Sequence, residues 1–168
     1  MQVTVIDYGI GNLLSVCRGF EQCDVKTMLS SDPEVILASD RIVLPGVGAF
    51  SNGMNELKNR NLISTIKETV NRGTPILGIC LGMQLLLDES EEFGLTSGLG
   101  LIPGRVVPIP PLSKEKKKLT VPHIGWSALN TNDVLSKSKH KLLEYINDGD
   151  EVYLYIHLWH LQKMINIA

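Results

Sequence analysis

The sequence predicts an α/β fold in which a mostly parallel central sheet is flanked by helices. Short apolar segments typical of strands alternate with amphipathic helical segments, and glycine-bearing loops follow several of the strands. Alternation of this kind favours parallel pairing, with the connecting helices covering both faces of the sheet. In such sheets the loops at the carboxyl ends of the strands line the functional site.

The individual elements are assigned from their apolar periodicity and from the residues that bound them. Strands are expected at residues 2–6, 25–29 and 41–44, and the apolar residues Ile76, Leu77 and Ile79 indicate a fourth, buried strand. Helices are expected at residues 13–22, 52–60, 62–71 and 81–87. Residues 93–112 carry repeated Gly and Pro, and a closing strand is expected at residues 151–156.

Glycine-bearing loops at residues 7–12, 45–48 and 78–82 all fall at the carboxyl ends of predicted strands. The last of them contains Cys80 between Gly78 and Gly82, at a sharp turn from strand to helix. This pattern predicts a nucleophile elbow, in which the glycines let the backbone pass closely and the helix N-terminus favours the thiolate. Local context alone leaves an alternative open, because many cysteines in apolar runs are simply small hydrophobic side chains.

Composition narrows the class of protein. The chain has 168 residues, which favours one domain over residues 1–168, and its formal charge of −2 gives no reason to expect nucleic acid or an anionic membrane as partner. Cys17, Cys23 and Cys80 lack metal-ligand spacing and suit a reducing compartment. Cys17 and Cys23 are interpreted as buried hydrophobic or indifferent surface thiols. With no signal-like segment before the first strand, we expect a cytoplasmic protein.

A short basic run is formed by Lys114, Lys116, Lys117 and Lys118. We interpret it as a solvated hairpin tip or loop, and a phosphate contact is the alternative.

Two motifs resemble those of the class I glutamine amidotransferases. The segment Gly78-Ile79-Cys80-Leu81-Gly82-Met83-Gln84 resembles their nucleophile motif, and Pro45-Gly46-Val47-Gly48-Ala49-Phe50 resembles their oxyanion strand. Two further segments, Asp7-Tyr8-Gly9-Ile10-Gly11-Asn12 and Pro122-His123-Ile124-Gly125-Trp126, narrow the resemblance to the glutaminase subunits of imidazole glycerol phosphate synthases. The resemblance implies a flavodoxin-like sheet whose last strands are missing from this sequence.

The resemblance also implies a reaction. Cys80 would attack the side-chain amide of glutamine, form a thioester and release ammonia. Backbone N–H groups of Val47, Gly48 and Leu81 would hold the developing oxyanion, while Gly46 and Gln84 would bind the substrate. No metal or organic cofactor is implied.

The same resemblance implies a partner. Residues Asp7, Asn12, Pro122, His123 and Trp126 would face a cyclase subunit, a (β/α)₈ barrel that receives the ammonia and closes the imidazole ring. For His123 and Trp126 the alternative is ordinary core packing with a satisfied imidazole.

The late part of the sequence departs from the family pattern. The family supplies its base and orienting carboxylate as a late His-x-Glu, and none of the four histidines here, His123, His140, His157 and His160, begins such a motif. Residues 152–158 resemble the family's closing strand but carry one extra residue between the tyrosine and the histidine, and residues 159–168 match nothing in the family pattern. A frameshift or premature stop near residue 154, which would make residues from about 154 to 168 an aberrant tail, would explain both departures. A rescue by His157 or His160 is the alternative, with Asp150 and Glu151 as the nearest carboxylates.

Without the triad histidine and glutamate, we expect little or no glutaminase activity from this chain. Three other hypotheses stay open. The chain is an ammonia-supplying paralogue in a nucleotide-sugar pathway, a non-catalytic module that docks on the barrel, or an unstable fragment with an exposed apolar sheet edge.

Overall fold

A computed structural model of the chain describes residues 1–112, 118–129, 144–156 and 158–161. The chain divides into two compact units, one built on Met1–Val107 together with His160 and Leu161, and the other on Pro108–Trp159. The expectation of a single domain over residues 1–168 stays a prediction. None of the helices in the described ranges is long and apolar enough to cross a membrane.

The first unit is built on a four-stranded parallel sheet. Its strands are β1 (Gln2–Ile6), β2 (Lys26–Ser30), β3 (Ile42–Leu44) and β4 (Ile76–Gly78), in the order β2-β1-β3-β4. Register places Val43 of β3 beside both Val5 of β1 and Leu77 of β4. The predicted α/β class with a parallel central sheet is therefore confirmed, and the strand bounds lie within one residue of those expected.

Helices connect these strands. They are α1 (Leu13–Glu21), α2 (Pro33–Leu37), α3 (Phe50–Asn59), α4 (Leu62–Asn71) and α5 (Leu81–Leu85). The short helix α2 was not predicted, although its start carries a recognisable signal: the Asp32 carboxylate accepts the N–H of Glu34 at 2.9 Å, and Pro33 occupies the first turn.

Helix α5 is shorter than predicted, because the chain becomes strand β5 (Leu87–Ser90) instead of remaining helical to residue 87. The carbonyl of Leu85 accepts the N–H of Leu99, and the carbonyl of Leu86 accepts those of Leu101 and Ile102. These partners lie more than ten residues away, so tertiary hydrogen bonds end the helix that local propensity favours.

Strand β3 is fully buried, whereas β4 is not. All three residues of β3 are buried, but Leu77 of β4 is 38% exposed and Ile76 is only half-buried. The fourth strand was therefore predicted correctly, but the prediction that it is buried is wrong. Among the described residues β4 pairs only with β3, so it forms the edge of the sheet. This exposed edge is the feature on which the unstable-fragment hypothesis depends.

The core lies between the sheet and the helices. On the α1 side, Cys17 is buried against Val3, Val5, Val25 and Val43, which confirms its interpretation as a small hydrophobic side chain. Cys23 is exposed. Further large, fully buried side chains come from the strands, from the loop after β1, from the helices and from the segment after β6: Ile6, Tyr8, Ile36, Ile42, Leu44, Phe50, Leu57, Leu62, Ile66, Leu81, Leu85 and Leu99.

A second sheet follows in the glycine- and proline-containing segment, where no strand was expected. It contains β5, β6 (Thr96–Ser97), β7 (Ile102–Pro108) and β10 (Leu158–Leu161), in the order β10-β7-β5-β6. Strand β5 pairs with β7 in parallel and with β6 antiparallel.

The second unit contains an antiparallel ribbon of β8 (His123–Ala128) and β9 (Glu151–Ile156), which confirms the strand expected at residues 151–156. Trp126 lies opposite Tyr153, and their rings meet edge to face at 5.5 Å. Lys118 forms an isolated antiparallel bridge with Leu112. Lys114, Lys116 and Lys117 lie outside the described residues, so the basic run stays a prediction.

Candidate active site at the carboxyl edge of the parallel sheet

Cys80 lies at the sharp turn between β4 and α5, and its thiol is exposed. Its backbone adopts φ 55° and ψ −117°, a conformation that residues with a side chain rarely take. Holding a residue in such a region costs on the order of 1–3 kcal/mol, and such strain concentrates at functional sites. The turn is fixed by neighbouring backbone: the N–H of Ile79 donates to the carbonyl of Leu44 at 3.0 Å, and that of Met83 to Cys80 at 3.0 Å.

The glycines beside Cys80 are required by close packing. A Cβ at Gly82 would overlap the carbonyl oxygen of Leu44, and a Cβ at Gly78 would overlap the backbone of Met83. Only hydrogen fits at either position, so the turn depends on both glycines, as the sequence predicts.

The loop at residues 45–48 lies directly against this turn. A Cβ built on Gly46 would lie 3.0 Å from Leu81 Cβ and 3.1 Å from the nitrogen of Gly82. Gly48 has φ +92°, which favours glycine, and Val47 is exposed. Leu81 begins α5, so its N–H is one of the groups that have no acceptor within the helix. Two of the predicted oxyanion residues, Val47 and Gly48, thus lie on this loop, and the third, Leu81, lies at the adjacent start of α5.

Side chains from distant parts of the sequence hold both ends of this loop. At its beginning, the buried Tyr8 hydroxyl donates to the carbonyl of Pro45 at 2.7 Å. Just after its end, a carboxylate oxygen of Glu92 accepts the N–H of Phe50 at 2.7 Å. Burial, together with the charge of Cys80, raises the pKa of Tyr8 above its ordinary range. The resemblance gave the segment that contains Tyr8 a partner-facing role, which the burial of this side chain contradicts. Sequence reasoning assigned no role to Glu92.

The loop at residues 7–12 reaches the same edge of the sheet, since a Cβ at Gly11 would lie 3.6 Å from Pro45 Cβ. Two of its residues, predicted to face a partner, also have local roles. Asp7 accepts the N–H of Gly9 at 3.0 Å, and Asn12 accepts that of Ser15 at 3.3 Å and so caps α1. Convergence of the three loops, inferred from strand order, is therefore observed.

Gln84, the predicted substrate-binding residue, lies on α5 one turn beyond Cys80 and is half-buried. Its N–H donates to the carbonyl of Cys80 at 3.3 Å. Its role toward a substrate stays a prediction, as does that of Gly46.

The other predicted partner-facing residues lie in the second unit. Trp126 is 67% exposed, and the exposed imidazole of His123 lies 3.1 Å from the Ser127 hydroxyl. Pro122 and His123 help to line a cavity of about 690 Å³ together with Ile109, Lys118, Leu119, Thr120, Ile124 and Ile156. The core-packing alternative is therefore wrong for the Trp126 side chain.

Of the two histidines considered as an alternative base, His157 lies outside the described residues and His160 lies in β10, so the rescue stays a prediction. His140 also lies outside the described residues. Within the described ranges, no group of three or more His, Cys, Asp or Glu side chains could hold a metal ion.

A strained cysteine at a strand-to-helix turn, packed beside a glycine-bearing loop, has the geometry of the nucleophile elbows that serve acyl transfer. The sequence profile of class-I glutamine amidotransferases matches residues 4–162. The chain belongs to this family, which confirms the resemblance carried by the motifs around Cys80 and Gly48.

Within the family, the chain is similar to subunits named for one synthase. It is 46% identical to imidazole glycerol phosphate synthase subunit HisH 1 of Legionella pneumophila strain Lens over 151 residues, which covers 90% of this chain and 71% of the relative. It is 41% identical to subunit HisH of Geobacter sulfurreducens over 160 residues, which covers 95% of this chain and 74% of the relative.

Solved structures share the fold at low sequence identity. A crystal structure of a glutamine amidotransferase superposes with a TM-score of 0.55 at 16% identity, covering 63% of this chain and 56% of that one. A Thermoplasma acidophilum protein described as a GMP synthase subunit gives 0.54 at 16% identity, covering 96% and 67%. These structures support the fold.

Proposed function

We propose that the chain is the glutaminase subunit of an imidazole glycerol phosphate synthase and acts in histidine biosynthesis in the cytoplasm. The observation that carries the proposal is Cys80, held in a strained conformation at the elbow beside the loop at residues 45–48. The identity of 46% to a HisH subunit supports this choice among the amidotransferases. Residues 1–168 form one glutamine amidotransferase domain in this proposal.

The reaction begins when the Cys80 sulfur attacks the carbonyl carbon of the glutamine side chain. The carbonyl oxygen becomes an oxyanion, which accepts hydrogen bonds from the backbone N–H groups of Val47, Gly48 and Leu81. The carbon–nitrogen bond then breaks, ammonia leaves and a thioester remains on Cys80. Water hydrolyses the thioester to glutamate and the free thiol. Gly46 and Gln84 hold the substrate during these steps.

Loss of ammonia requires a proton donor to the leaving nitrogen, and thioester hydrolysis requires a base. The family supplies both through the histidine of a His-x-Glu motif, which this sequence does not contain. We therefore expect residues 1–168 by themselves to bind glutamine and react slowly, because catalysis without a triad histidine can be slower by several orders of magnitude.

The ammonia passes to a cyclase subunit with a (β/α)₈ barrel, with which the chain forms a heterodimer. The residues of this chain that dock on the cyclase include Trp126 and Ile124 on the β8–β9 ribbon, and both side chains are more than half exposed. Asp7 and Asn12 of the first unit, and Pro122 and His123 of the second, also contact the cyclase subunit in this proposal.

The test compares two exposed thiols in one protein. A chloromethyl ketone analogue of glutamine is incubated with the purified chain, and mass spectrometry measures alkylation at Cys80 and at Cys23, both of which are exposed. We expect selective alkylation of Cys80, protection by glutamine and loss of the signal in Cys80→Ser. Equal labelling of both thiols, unaffected by glutamine, would contradict a glutamine site.

A second measurement distinguishes binding of the cyclase subunit from hydrolysis of glutamine. Glutamate release is measured after mixing the chain with its cyclase subunit, with the Legionella relative and its own cyclase as reference. We expect co-purification of the two subunits with almost no turnover, which would favour the docking-module hypothesis. Turnover close to that of the reference would contradict the expected need for the His-x-Glu motif.

A further inference from the structure

Tyr8 connects the loop at residues 7–12 to the loop at residues 45–48. Although it lies in a loop, its side chain is fully buried. Its hydroxyl donates to the carbonyl of Pro45 at 2.7 Å, across 37 positions of sequence. A buried hydroxyl that lost this acceptor would be left desolvated without a partner, so the contact is strongly favoured.

The backbone of Tyr8 is held as well. Its carbonyl accepts the Nε–H of Arg60 at 2.8 Å, and the Arg60 guanidinium also pairs with Glu56 at 3.3 Å. Arg60 directly follows α3, the helix that begins where the loop at residues 45–48 ends. Tyr8 thus contacts the residue that begins this loop and the residue that ends the following helix.

The Pro45 carbonyl matters because it shares a planar peptide group with the N–H of Gly46. Fixing the direction of this carbonyl therefore fixes the direction of the next N–H and restricts the start of the following peptide. Gly46 and Gly48 otherwise give the loop more conformational freedom than residues with a side chain would. Backbone donors stabilise an oxyanion only when their directions are set in advance.

The Tyr8 hydroxyl stays protonated although Cys80 lies nearby. Burial first, and the Cys80 charge second, raise the pKa of Tyr8, so the hydroxyl stays a donor when the neighbouring sulfur is a thiolate. An ionised phenol would be repelled by the Pro45 carbonyl oxygen, and the loop would lose this restraint.

We propose that Tyr8 is a positioning residue that fixes the first peptide group of the oxyanion loop, between Pro45 and Gly46, through its hydrogen bond to the Pro45 carbonyl and so restricts the peptide groups that follow. The inference rests on the proposed glutaminase chemistry of Cys80. Tyr8 itself touches neither the substrate nor the reacting sulfur in this role.

The test uses Tyr8→Phe, which removes only the hydroxyl. The glutamine chloromethyl ketone alkylates Cys80 as a sulfur–carbon bond forms and the carbon–chlorine bond breaks, releasing chloride. We expect the rate at saturating analogue to fall roughly tenfold, less than the loss caused by deleting an oxyanion donor. The half-saturating concentration of analogue and the rate with iodoacetamide, which uses no oxyanion site, should not change.

Thr69→Val is the matched control for lost stability. Thr69 is also fully buried, and its hydroxyl donates to the Thr65 carbonyl at 2.7 Å within α4. If Tyr8 acts only through stability, both variants will slow alkylation to the same extent. Replacing Tyr8 with 4-aminophenylalanine, whose N–H can still donate to Pro45, should restore the rate.

A second pair of variants keeps the test decisive if Tyr8→Phe does not fold. Arg60 and Arg72 each follow a helix and each pair with a glutamate four residues earlier, but only Arg60 contacts Tyr8. Arg60→Met should slow alkylation by the analogue, and Arg72→Met should not. Equal rates in both variants and in the wild type would overturn the role of Tyr8, whereas an unlabelled wild type would instead overturn the proposed function and the inference with it.

Discussion

Two aromatic residues from the family motifs have opposite environments. Tyr8, in the loop at residues 7–12, is fully buried and braces the backbone beside Cys80. Trp126, on the β8–β9 ribbon, is 67% exposed and contacts Tyr153 edge to face. The resemblance gives both motifs a partner-facing role, but only Trp126 has the exposed side chain that such a role requires. The loops at the carboxyl ends of the parallel strands are held by buried side chains, whereas the β8–β9 ribbon exposes apolar side chains to solvent.

This difference has a practical consequence. Substitutions at the elbow should change both the free energy of unfolding and the reactivity of Cys80, because the strained turn persists only while its surroundings hold it. Substitutions on the exposed face of the ribbon should leave stability almost unchanged and act on docking.

The largest effect is expected at Gly82. In Gly82→Ala the new methyl group would overlap the carbonyl oxygen of Leu44, so either β3 or the elbow must move. We expect a loss of about 3 kcal/mol in the free energy of unfolding, measured in urea. Gly19→Ala is the control, because it lies within α1 with open space around it and should stabilise by up to about 1 kcal/mol. A small effect at Gly82 would show that the turn is not tightly held.

The next prediction contrasts the core with the ribbon. Ile66→Ala should lower the free energy of unfolding by about 2–5 kcal/mol, since Ile66 is fully buried on α4. Trp126→Ala should cost only about 1 kcal/mol, the value of its edge-to-face contact. The same Trp126→Ala should weaken binding to the proposed cyclase subunit by about 2 kcal/mol, measured by calorimetry. Unchanged binding would remove Trp126 from the docking surface.

A smaller effect than these substitutions is expected at alkaline pH, where Tyr8 should make the free energy of unfolding depend on pH. Its folded-state pKa is raised, so the unfolded chain loses the phenol proton first as pH rises. Stability is therefore complete below the ordinary tyrosine pKa of about 10 and declines above it, by at most about 1.4 kcal/mol for each pH unit. Tyr8→Phe should decline less over this interval. Parallel curves for the two proteins would contradict a buried neutral phenol.

The smallest effect is expected at the surface of the second sheet. Arg105 pairs with Glu89 at 3.3 Å and with Glu91 at 3.0 Å, but its side chain is half exposed. Arg105→Ala should change the free energy of unfolding by less than about 1 kcal/mol, and added salt should reduce the difference further. A larger, salt-independent loss would mean that this sheet is as sensitive as the elbow.

Sequence patterns predicted the elements of the parallel sheet well because their signals are local. Helix α4 and strands β1 and β9 have the expected bounds, and the other predicted elements of the first half, α5 excepted, lie within two residues of theirs. The glycines around Cys80 were also predictable, since a tight turn imposes a short fixed spacing. Strands β5, β6 and β7 gave no comparable pattern, because hydrogen bonds to distant residues form them.

The sequence by itself determined the α/β class, the elbow at Cys80 and membership of the amidotransferase family, because each depends on residues close together in the chain. Only the tertiary structure decided that β4 lies at the edge of the parallel sheet among the described strands, that Tyr8 is buried and that Trp126 is exposed. It also joined Tyr8 to Pro45 and Glu92 to Phe50, pairs separated by 37 and 42 positions. Such contacts depend on which surfaces meet after folding, and no local periodicity records them.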